Sequence, residues 1–140
     1  MRITLYTAER ATKLAHELTP QLREMIEARQ EMKRIETRLD VMALALAGAS
    51  PDNPDAAEAR DLAVRRTDLA ARIRTGLEVI HDRGCIVKDL DAGLLDFYSL
   101  AGDRLVFLCW KLGEAEVAHW HPLEGGFASR RPLDHSPLEE

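Results

Sequence analysis

Aromatic residues are scarce in this sequence: Phe, Trp and Tyr make up 5% of 140 residues, and all but Tyr6 lie after position 96. A core built on aromatic packing throughout is excluded, so the chain must change architecture towards its C-terminal third. Cysteine is scarcer still. Cys85 and Cys109 alone are too few for a disulfide framework and lack the spacing of a zinc knuckle, which leaves reduced thiols and points to the cytoplasm. No apolar run approaches the roughly 20 residues that span a bilayer, and MRITLYTAER lacks the apolar stretch of a signal peptide, so a membrane role is not expected. There is no phosphate loop, no serine elbow and no HExxH.

Basic excess is missing too. Residues 8–47 carry seven acids and seven bases, residues 55–83 six and six, and residues 84–140 ten acids against five bases, so the last segment holds the whole net charge of -5. Phosphate backbones need a concentrated cationic surface. Nucleic acid is therefore not an expected partner, whereas a cationic partner or a divalent metal is compatible with the acidic end.

The length suits one domain. Ile3 and Leu5 alternate with Arg2, Thr4 and Tyr6, which predicts a strand over 2–6. Thr7 offers a helix cap, and from Ala11 to Leu46 the apolar residues recur at three-and-four spacing. Pro20, preceded by Thr19, predicts a kink or a restart there. The connection GASPDNP leads to Asn53 as cap and Pro54 as first residue of a second helix, which stops at Gly84. The stretches Pro20 to Ala47 and Pro54 to Arg83 would each be about 42 to 45 Å long. Equal helices joined by a short loop make an antiparallel hairpin. The expected fold is α+β: a hairpin over 7–83 and a small antiparallel β head over 84–133 that takes in strand 2–6. Together they form a single domain over 1–133, followed by a mobile tail at 134–140.

The segments VKDLDAGLLDF, LVFLCWKLGE and VAHWHPLEGGFASRRPL resemble the prokaryotic domain-of-unknown-function family 2203, and LYTAERATKLAHELTPQL is similar to that family's opening. Cys109, Trp110, Gly113, Glu114, Trp120, His121, Gly126, Phe127 and Arg130 at these spacings carry the resemblance. Ser129 stands where members usually have Gly, Tyr98 where they often have Pro, and His119 where tyrosine is common. The resemblance implies an architecture and no activity.

Strand period supplies the candidate site. His119 and His121 share a face, with Trp120 on the other. If Lys111 pairs with Glu116, then Leu105, Phe107, Cys109, Ala118 and Trp120 form the core face. The opposite face holds Val106, Leu108, Trp110, Val117, His119 and His121, and a three-residue turn at Ala101 to Asp103 adds Asp96 and Tyr98. A slip of one residue would reverse the faces. The ligand-binding candidates are Asp96, Trp110, Glu114, His121 and Arg130, the last folding back after Gly125 and Gly126 as an anion clamp. The bland alternative makes both tryptophans packing residues, Cys109 a small buried hydrophobe, and His121 a residue satisfying a backbone carbonyl. No cofactor is established. A divalent metal would be held by His119 and His121, completed by Asp96 or Glu114, with Cys109 on the other face.

Two functions follow. In the first, the hairpin is an interaction surface that forms a homodimer or meets another protein. In the second, the head is a metal-binding or small-ligand-binding enzyme using His121, Asp96, Glu114 and Arg130.

Overall fold

The computed structural model describes residues 3–133. The expected tail at 134–140 lies outside the described residues. Two helices, α1 (Ala8–Ala45) and α2 (Pro54–Asp82), precede five strands: β1 (Cys85–Asp89), β2 (Leu94–Ala101), β3 (Arg104–Lys111), β4 (His119–Pro122) and β5 (Arg131–Pro132). The strands form one antiparallel sheet in the order β1-β2-β3-β4-β5, so the helical hairpin carries a β head.

The helix ends follow from local chemistry. Thr7 Oγ1 accepts from the Arg10 amide at 3.2 Å, and Asn53 Oδ1 accepts from the Asp55 amide at 2.9 Å with Pro54 next in line. α2 ends before Gly84, whose φ of 83° is left-handed and where a Cβ would stand 2.5 Å from Thr4 Cβ. Of the kink or restart expected at Pro20, the restart does not occur: α1 is one helix of 38 residues with the proline inside it. Proline in a helix interior costs about 3 kcal/mol. Ala15, Leu18 and Leu22, on both sides of it, are buried against the sheet, and that packing offsets the loss.

The first third of α1 covers the sheet. Ala11, Leu14, Leu18 and Leu22 join Ile80 of α2 and the sheet residues Leu95, Phe97, Leu108, Trp110 and Trp120 in one core. Farther along the hairpin the buried seam thins to Met32, Ile35 and Leu69.

The expected strand over 2–6 is corrected: among the described residues, 3–6 form no strand. β1 pairs with β2 only as far as Cys85 opposite Phe97, leaving the edge beyond it open. Tyr6 docks there, its amide donating to Tyr98 O at 2.8 Å and its carbonyl accepting from Ser99 Oγ at 2.7 Å. That is one anchored residue, not a ladder.

Both expected registers are one residue off. Ala101 pairs with Arg104 across a two-residue turn, and Cys109 pairs with His119, so Lys111 and Glu116 do not face each other. The segment between β3 and β4 is drawn to α1 instead of closing a tight hairpin. The Val117 amide donates to Thr12 Oγ1 at 2.9 Å, and His16 Nε2 lies 2.7 Å from Ala115 O. Trp110, with Val106 and Leu108, therefore belongs to the core, whereas Phe107 and Cys109 belong to the far face.

Candidate functional site

On the face turned away from α1, the register sets two rows across β2, β3 and β4. One is Asp96, Cys109, His119, and the other is Tyr98, Phe107, His121. Three of these residues could bind a ligand and are closed off from solvent: Asp96 and His121 are 1% exposed and Cys109 2%. The ligating atoms of the three lie within 4.8 Å of one another.

His121 is fixed at both ring nitrogens. Nδ1 lies 2.7 Å from Pro122 O, which can only accept, so Nδ1 carries a hydrogen and donates. Nε2 stands 3.1 Å from Asp96 Oδ2, and that contact needs one proton, held by the imidazole or by the carboxyl. Burial raises the Asp96 carboxyl above its ordinary range, while His121, Lys88 and a hydrogen bond from Cys109 pull it part of the way back. The Phe107 ring lies against the imidazole at 5.4 Å between centroids and against Tyr98 at 4.7 Å.

A second group adjoins the first. Arg130 donates to Glu114 Oε2 at 2.6 Å and also to His119 Nδ1, its guanidinium over the Phe127 ring at 4.7 Å. Glu114 is held in turn by the Lys111 amide at 2.7 Å. The Arg130 guanidinium, expected from the sequence as an anion clamp, is bound to the Glu114 carboxylate.

The structure thus brings Asp96 and His121 into contact and sets Glu114, His119 and Arg130 beside each other next door. Trp110 is on the opposite face, 1% exposed, with its indole N–H donating to Glu114 O at 3.0 Å. Cys109, expected on the core face, instead lies on the far face, opposite Asp96 and His119. Its parity with Asp96 was the available signal, but it is usable only in the true register.

Burial and the adjacent Asp96 carboxyl push both thiols, Cys85 and Cys109, up to about 12 from 9.0. Alkylation requires the thiolate, so neither cysteine of the folded protein is expected to react with iodoacetamide at pH 8, and both are expected to react once it is unfolded. The linkage has a definite sign. A folded value raised above the unfolded one gives stability that is intact below pH 9.0 and lost as pH rises towards about 12. Mass spectrometry after timed alkylation checks the first expectation, and alkaline denaturation curves check the second.

The family described as Uncharacterized conserved protein (DUF2203) matches residues 4–133, so the chain belongs to that family. Searches of the curated proteins and of the solved structures found no match.

Proposed function

We propose that this DUF2203 member is an interaction protein whose helical hairpin pairs with a second copy of itself in the cytoplasm, the β head fixing one end of the hairpin. One feature supports this above others: an open groove of about 860 Å³ along one side of α1 and α2, with Met25, Ala28, Leu69 and Ile73 among its lining. Two helices side by side leave such a seam accessible, and a two-fold partner is the commonest way to cover one.

The charge around the groove suits a second copy better than a polyion. It is lined by three acids, Glu24, Glu27 and Glu31, and three arginines, Arg34, Arg65 and Arg72; Glu31 and Arg65 already pair at 2.7 Å within the chain, and a two-fold contact can set Glu24 and Glu27 against Arg34 and Arg72. Apolar residues continue it. Residues seven apart share a helix face, so Val41 extends the row of Arg34, Val64 that of Ala71 and Val79 that of Arg72. These valines are 55%, 62% and 46% exposed. Among the described residues no helix is long and apolar enough to cross a membrane, so these side chains are not part of a spanning helix.

Sedimentation velocity at micromolar concentration is expected to give a dimer, and Val64→Glu combined with Val41→Glu is expected to give a folded monomer. A wild-type protein that sediments only as monomer contradicts the proposal.

A further inference from the structure

We infer that Asp96, Cys109 and His121 form a binding site for a divalent metal of the zinc type, with a carboxylate oxygen of Asp96, Cys109 Sγ and His121 Nε2 as ligands. The inference is independent of whether the hairpin self-associates.

Geometry comes first. Zinc binds nitrogen and oxygen at about 2.0–2.2 Å and sulfur at about 2.3 Å, which sets tetrahedral ligand atoms roughly 3.3–3.8 Å apart. The three ligating atoms here already lie within 4.8 Å of one another, and the Nε2 to Oδ2 separation is 3.1 Å. Small side-chain adjustments close the set, because all three residues sit on adjacent paired strands.

The surroundings have the form of an outer metal shell. A metal-binding imidazole normally donates its other N–H to a carbonyl or carboxylate, which fixes the tautomer and aims the free lone pair at the ion. His121 does this through Nδ1 and Pro122 O at 2.7 Å. The expected pairing of His119 with His121 is replaced, because His119 Nδ1 accepts from Arg130.

Charge and softness select the ion. A carboxylate and a thiolate neutralise a divalent cation, and the nearby Arg130 guanidinium is balanced by Glu114 at 2.6 Å. Thiolate with imidazole favours zinc or cobalt over magnesium or calcium, which prefer oxygen. Three protein ligands would leave the fourth tetrahedral position to a water enclosed with them beneath the face. Because binding displaces the thiol proton, affinity rises with pH.

The test is titration of the full, metal-free chain with Co²⁺ and Zn²⁺. Wild-type protein is expected to bind a single equivalent of Co²⁺ with a near-ultraviolet sulfur-to-cobalt charge-transfer band, to exchange it for Zn²⁺, and to gain thermal stability with metal. Cys109→Ser should remove the band, while Cys85→Ser, altered on the opposite face, should keep it. His121→Ala should weaken binding by more than the roughly 10–100-fold that outer-shell changes cost, and His119→Ala should not. If Cys109→Ser does not fold, the wild-type spectrum still decides, since it reports thiolate ligation directly. No stoichiometric binding by folded wild type, a bound cobalt without a thiolate band, or a band that survives Cys109→Ser overturns the inference.

Discussion

Trp110→Ala is expected to lower the unfolding free energy by about 3–5 kcal/mol, a large part of the roughly 5–15 kcal/mol that holds a domain together. The indole is 1% exposed and sits in the core shared by α1 and the sheet, opposite Leu95 on β2. Its removal empties the largest fully buried side-chain volume among the described residues and strips the Glu114 carbonyl of its N–H donor at 3.0 Å. A tryptophan lining a ligand pocket on the far face would behave differently, weakening binding with little cost to folding. Urea unfolding followed by circular dichroism separates the two: the midpoint should fall with the slope unchanged. A loss under about 1 kcal/mol would remove Trp110 from the core.

Much of the architecture was legible because local chemistry decides it. Thr7, the pair Asn53 and Pro54, and Gly84 mark helix ends through caps and backbone freedom, and those signals survive in any tertiary setting. The fate of Pro20 was not legible, because a proline is tolerated when the helix on both sides is pinned by packing. Nor was the loose attachment of residues 3–6, since alternation in a short stretch cannot tell a strand from an extended segment that touches a sheet edge once.

The register is the more instructive case. The turn Ala101, Gly102, Asp103 fits two or three loop residues, and the length of the segment after Lys111 is set by Thr12 and His16 on a distant helix. Each assumed register was off by one. Relative to β4, β2 was displaced twice and its side chains kept their face, so Asp96 and His121 still came out together. β3, lying between them, was displaced once relative to each neighbour, and Cys109 and Trp110 exchanged roles. Only a view of the whole sheet corrects such an error.

Asp96→Ala is expected to cost roughly 3–5 kcal/mol, because it leaves His121 Nε2 without a partner away from water, Nδ1 alone keeping its contact with Pro122 O. The side chains of His121 and Asp96 are 1% and 2% exposed and the contact is 3.1 Å. His121→Ala should be costly for the same reason and should also remove one of the two donors to Pro122 O, the Gly125 amide at 3.0 Å remaining. The coupling between the two residues, measured by unfolding of wild type, both single variants and the double variant without added metal, tests most directly whether the far face of the sheet holds a buried polar site. The expected result is a double variant far less destabilised than the sum of the singles, with a coupling of about 1–3 kcal/mol, whereas effects that add to within about 0.5 kcal/mol would contradict it.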